Sequence, residues 1–150
     1  MAMMNDAQYM KMALDLAKKA GESGDVPVGA IVVKDGEIIS SGANERVLCG
    51  SAISHAEVVA IERACKSLGT WRLSGCTLYV TLEPCPMCAG AIINSRVDRV
   101  VFGAKDAKAG CFGSLINFNH YPFNHKPEII EGVCADECRE VLSEFFARRR

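Results

Sequence analysis

The sequence predicts an α/β sandwich built on a mixed sheet, and three observations carry that reading. Strand-length apolar runs alternate with stretches of helical periodicity. The first two runs flank a tight-turn signal. A later run, TLYVTL (77–82), is apolar enough to be buried on both faces. Alternation asks for parallel crossover strands and the opening hairpin asks for an antiparallel pair, so the sheet is mixed. A chain of 150 residues suits one domain, 1–150, whose core needs no covalent staple, and no linker or repeat divides it.

Each element has its own signal. Residues 6–20 read as an amphipathic helix with Met10, Leu14 and Ala17 on one face, broken by Gly21 and Gly24. VGAIVV (28–33) and EIISSG (37–42) are strands flanking Lys-Asp-Gly. Residues 54–68 form a second helix, with Val58, Ile61, Cys65 and Leu68 aligned. The buried strand 77–82 follows, then a helix from Pro86 to about Ser95 and a strand, RVVFGA, at 99–104. Residues 107–126 are rich in Gly, Asn and Phe and read as irregular. EIIEGV (128–133) is a candidate fifth strand. The last helix, 135–149, opens with Asp136 and Glu137 and closes on arginines, the charge order a helix dipole favours.

Composition excludes several classes. Residues 1–12 carry Asn5, Asp6 and Lys11, which fits neither a signal peptide nor a membrane span, so the expectation is a cytoplasmic protein with no membrane partner. Eight cysteines without a secretion signal, in a chain able to bury a core, read as reduced thiols. Cys49, Cys65, Cys76, Cys111, Cys134 and Cys138 are then small core or near-surface residues. The net charge of −1 argues against a broadly basic nucleic-acid surface, so such a partner would meet a local patch.

The chemistry concentrates in TLEPCPMCAG (81–90). A structural zinc needs four ligands, and no second C-x-x-C exists to complete one. A catalytic zinc needs three, with an open position for water. His55, in HAEVVA, supplies the third. Glu57 stands two residues on, and positions i and i+2 of a helix point about 200° apart. Both can therefore reach one site only if that helix aims its first turn at it. Pro86 suits a first helical position, which leaves Cys85 at the cap and Cys88 one turn in. Two helix N-termini would converge on one ion, their partial positive ends favouring thiolates and hydroxide. Zinc held by two thiolates and a neutral imidazole lowers the pKa of its water to about 7. Glu57 would take that proton and pass it to a substrate ring nitrogen, and hydroxide would attack an amino-bearing ring carbon. The H-x-E…P-C-x-x-C pattern is that of zinc nucleobase deaminases.

With these residues in place, the chain resembles the bacterial tRNA-specific adenosine deaminases of the cytidine deaminase-like superfamily. The resemblance runs through DVPVGA (25–30), Asn44, HAE (55–57), LYVTLEPCPMCAGAI (78–92) and RVVFGAKDAKAG (99–110). It continues in GSL (113–115), FNH (123–125) and ADEC…LSEFFARRR (135–150). The stretches after Arg99 are its specific part. It implies a three-layer αβα sandwich with a five-stranded mixed sheet, a homodimer, and one Zn²⁺ per subunit. The implied substrate is the wobble adenosine of a tRNA anticodon stem-loop, chiefly of arginine tRNA, and the product is inosine. Asn44 would bond the base or its sugar, with Val28 and Ala56 as further substrate-binding candidates. Lys105, Asp106 and Lys108 would lie near the anticodon loop. The end of the last helix, with Phe146 and Arg149, would meet flanking nucleotides.

Plainer roles stand beside these. Asn44 suits an Asx turn, Lys105 and Lys108 suit ordinary loop charges, and Phe146 suits a core contact. Arg149 suits a dipole-complementing charge, while His120 and Asn124 suit loop ordering. The run before His55, CGSAIS, departs from the Asp-Pro-Thr-Ala type usual in the family. Two competing functions remain: a deaminase of a free base or nucleoside such as guanine or cytosine, and a non-catalytic zinc-stabilised RNA-binding module. Glu57 argues against the module, since a structural site needs no carboxylate beside an open coordination position.

Overall fold

The computed structural model of the chain describes residues 4–149. Arg150 of the closing arginine run, and the first three residues of the 1–12 segment, lie outside the described residues. Helix α1 spans Asp6–Glu22, capped by a reciprocal pair in which Asn5 Oδ1 accepts from the Gln8 N–H at 2.9 Å and Gln8 Oε1 accepts from the Asn5 N–H at 2.8 Å. Strands β1 (Gly29–Lys34) and β2 (Glu37–Ala43) form the hairpin. A four-residue helix, α2 (Arg46–Cys49), leads to α3 (Ala56–Leu68). Then come β3 (Cys76–Leu82), α4 (Pro86–Ser95), β4 (Arg99–Ala104), β5 (Glu128–Ile130) and α5 (Ala135–Ala147).

The five strands lie in the order β2-β1-β3-β4-β5. The β1 strand is antiparallel to β2 and β3, while β3, β4 and β5 run parallel. The sheet is mixed, as expected, and the reversal falls at β1/β3. Period-two alternation sorts the core onto its two faces. Ala30, Val32, Leu78, Val80, Val100 and Phe102 pack against Ala56, Ala60, Ala64, Ala89 and Ile92 of α3 and α4. Ile31, Val33, Tyr79 and Val101 pack against Tyr9, Met10, Ala13 and Leu14 of α1 and Cys138 of α5. Helices therefore cover both faces, giving the three-layer αβα sandwich.

Three boundaries and one unexpected helix depart from the sequence reading. The first helix runs through Gly21 and ends at Glu22, two residues before the positive-φ Gly24. The second begins at Ala56 rather than residue 54. The fifth strand stops at Ile130, because Gly132 (φ 78°) and Cys134 (φ 55°) turn the chain into α5. The short α2 has no periodic signal and is held from outside. Asp25, 3% exposed, accepts from the Val47 N–H at 2.9 Å and pairs with Arg46 at 3.7 Å.

Candidate active site

The starts of α3 and α4 meet above the carboxyl end of β3. His55 is the cap residue of α3, in extended conformation (φ −74°, ψ 151°), so its ring is free of the helix direction that would have opposed it to Glu57. The start is fixed from β2: Asn44 Oδ1 accepts from the Ala56 N–H at 2.9 Å. Close approach is required here, since a Cβ at Gly42 would lie 2.7 Å from the Ala56 carbonyl oxygen. On α4, Cys85 is the cap, Pro86 the first helical residue, and Cys88 lies one turn in.

These cap geometries place His55 Nδ1 3.6 Å from Cys85 Sγ and 3.5 Å from Cys88 Sγ. The three donor atoms all lie within 4.8 Å of one another, the one such cluster of three or more metal-ligating side chains among the described residues. A tetrahedral zinc with N and S ligands imposes N···S separations of about 3.6 Å. The donor set and its spacing therefore fit one zinc-sized ion.

Charge is shared unevenly across the cluster, with Cys85 as its anion. Hydrogen bonding from the Cys88 thiol, then from His55, pulls Cys85 down to about 4. Cys88, hydrogen-bonded to Cys85 and buried, keeps its proton and is raised. His55 is raised, first by its hydrogen bond to Cys85. Glu57 is 4% exposed, and burial pushes its carboxyl up to about 7, with the Cys85 thiolate adding to the shift.

A cavity of about 190 Å³ opens over the cluster. His55, Glu57 and Cys85 form one side, Val28 just before β1 and Asn44 just after β2 line it, and Asp106 and Ala109 face it from the loop after β4. This is small for a ligand pocket and suits a single ring system. The Asn44 side-chain NH₂ has no hydrogen-bond partner among the described residues, although its oxygen is committed to α3.

The other sequence candidates fall elsewhere. Ala56 is fully buried, and its N–H is the group Asn44 holds. Lys108 is exposed, and its N–H donates to Asp106 Oδ1 at 3.0 Å. Lys105 pairs with Glu131 at 3.5 Å and shares a separate groove with Arg139, Leu142 and Phe146. Arg149 sits 4.5 Å over the Phe145 ring and donates to the Gly24 carbonyl at 3.2 Å. His125 bonds the Val97 carbonyl at 2.6 Å and so orders the long loop.

Sequence reasoning passed over Glu83 and Arg46. Arg46 lines the cavity and is tethered by Asp25. Glu83 is 2% exposed at the end of β3, where a carboxylate closing an apolar strand just before Pro-Cys was the one available signal.

The chain matches the MafB19-like deaminase family over residues 4–150. It is 54% identical over 149 residues to a tRNA-specific adenosine deaminase of Bacillus subtilis, covering 99% of this chain and 92% of that one. It is 47% identical over 147 residues to one of Haemophilus influenzae, covering 97% and 85%. A solved structure from studies of A-to-I editing by tRNA:A34 deaminases superposes with a TM-score of 0.88 at 41% identity, covering 90% of this chain and 99% of that one. A guanine deaminase structure from Bacillus subtilis gives 0.66 at 32% identity, covering 97% and 94%.

Proposed function

The chain belongs to the MafB19-like deaminase family, and from that premise we propose that it hydrolytically deaminates the wobble adenosine of a tRNA anticodon to inosine, chiefly in arginine tRNA. One observation carries the reading: three donor atoms stand at zinc-ligand spacing, two of them on His55 and Cys85 lining a ring-sized cavity and the third on the buried Cys88, with a buried carboxyl beside them.

His55, Cys85 and Cys88 would hold one Zn²⁺ per subunit. When bound, that ion would polarise a water molecule so that it ionises near neutral pH. Glu57 accepts one proton from the attacking water and delivers it to the adenine ring nitrogen beside the reacting carbon; it then takes the remaining hydroxyl proton from that carbon and passes it to the amine, which leaves as ammonia as the carbonyl forms. Its burial suits the task, because a carboxyl poised near neutrality both takes and returns a proton. The Asn44 NH₂, free of protein partners, orients the base while the same side chain's oxygen fixes the start of α3. Val28 and Asp106 close the cavity around the ring. Taking the base out of the anticodon loop lets a cavity of this size receive it.

The wider reading is a single catalytic domain acting in the cytoplasm on a tRNA anticodon stem-loop. Among the described residues no helix is long and apolar enough to cross a membrane. Lys108 and Phe146 are exposed and available for flanking nucleotides, and Lys105 and Arg149, also exposed, would exchange their contacts with Glu131 and with Phe145 and Gly24 for them. Val47, Leu48 and Ile53 expose an apolar face on the segment leading to His55, which supports a homodimer.

A second reading, deamination of a free base such as guanine, draws on the guanine deaminase match and the small cavity. One assay separates the two. The zinc-loaded protein is incubated with an anticodon stem-loop carrying a wobble adenosine and, separately, with guanine, adenosine and cytidine. Inosine in the stem-loop alone is the expected result; turnover of a free base alone would overturn the substrate assignment.

A further inference from the structure

The far side of the cavity is not formed by helix ends. It is formed by the loop after β4, from which Asp106 and Ala109 face the cavity. That segment is gathered around one buried carboxylate. Glu83 Oε1 accepts from the Asp106 N–H at 3.1 Å and from the Ser114 hydroxyl. Glu83 Oε2 accepts from the Phe112 N–H at 3.0 Å and the Ser114 N–H at 3.1 Å. The next residue, Pro84, accepts from the Cys111 N–H at 2.9 Å, and the one after that is the proposed ligand Cys85. Gly110 leaves the carboxylate its space, since a Cβ there would overlap it.

From this geometry we propose that Glu83 is a positioning residue for substrate. It clasps loop 105–114 so that Asp106 and Ala109 stand at the height of the bound nucleotide, in fixed register with the metal-ligand turn. The proposal rests on the deaminase reading above. Its chemistry requires a carboxylate rather than a polar isostere. All four partners donate, so both oxygens must accept. Glutamine has nearly the same shape, yet either orientation of its amide turns an NH₂ group toward backbone N–H groups. Three of the four donors are backbone groups that cannot reverse.

The test compares wild type, Glu83→Gln and Ser114→Ala on the wobble-adenosine stem-loop, with zinc content and amide hydrogen exchange measured alongside. In Glu83→Gln, KM is expected to rise about tenfold or more while kcat stays within about threefold, the split that marks lost ground-state positioning. Zinc should stay at that of wild type, and exchange should accelerate at Asp106, Phe112 and Ser114. An unchanged KM, a kcat loss without a KM change, or loss of zinc would overturn the proposal. If Glu83→Gln does not fold, Ser114→Ala decides, since it removes one hydroxyl bond and keeps the clasp. A KM rise of about threefold supports the proposal and an unchanged KM defeats it. If wild type turns over guanine and not the stem-loop, the substrate assignment fails instead, and the same comparison is made on guanine.

Discussion

Two walls enclose one cavity, and they are held in different ways. The wall bearing His55, Glu57 and Cys85, with the buried Cys88 behind it, consists of helix caps and first turns, anchored by backbone bonds and by Asn44. The wall bearing Asp106 and Ala109 is a loop gathered on the side chain of Glu83. The first arrangement fixes reacting groups to a fraction of an ångström, because moving one means unwinding a helix start. The second lets the floor and the substrate side vary separately. Changes to the first wall should appear in kcat, and changes to the second in KM.

The largest effect expected is from Glu57→Ala. It should retain zinc and stem-loop binding and lower kcat by about 10³-fold, the scale of a lost general acid–base group. Metal analysis and single-turnover kinetics check this, and near-normal kcat would remove Glu57 from the proton path. A smaller effect is expected from Gly110→Ala, whose methyl group displaces the Glu83 carboxylate from the other side. KM should rise by about tenfold with kcat nearly unchanged; a kcat defect instead would mean that the two walls are not separable.

The smallest expected effect lies outside both walls. Asp6 accepts from Arg99 at 3.0 and 2.6 Å and from the Tyr79 hydroxyl at 2.6 Å, joining α1 to the sheet. The Arg99 guanidinium holds its carboxyl below the usual carboxylate range. A lowered native value contributes stability above the unfolded pKa and loses it as pH falls through the native one. Asp6→Asn should therefore cost about 1 kcal/mol at neutral pH. That difference should shrink toward zero in acid, with kcat and KM unmoved. Denaturant melts at neutral and acidic pH measure it, and a difference that persists in acid would place its origin in packing.

The His55, Cys85 and Cys88 cluster was legible in the sequence because its determinants are local. Pro86 marks a helix start, two thiols three residues apart meet on a first turn, and His-x-Glu before an apolar helix suggests a second start. The expected start at residue 54 was still early. The actual start depends on the side chain of Asn44, twelve residues back just after β2, and no periodicity records that bond. The helix α2 was illegible for the same reason, its hold being the distant Asp25. Arg149 shows the converse: a charge at a helix end reads as free, yet it lies on Phe145 and reaches Gly24 across the fold.

Alternating apolar runs and tight turn residues are enough to set the layers and sheet composition of this protein, and capping residues beside His and Cys are enough to bring together the His55, Cys85 and Cys88 cluster. Each depends on contacts within a few residues or on burial averaged along an element. Tertiary structure alone decided that Glu83 faces four donors more than twenty residues away. It also decided that Lys105 and Phe146 occupy a different groove from His55 and Cys85. A buried carboxylate is only as informative as the groups around it, and those are chosen by chain crossings that leave no period in the sequence.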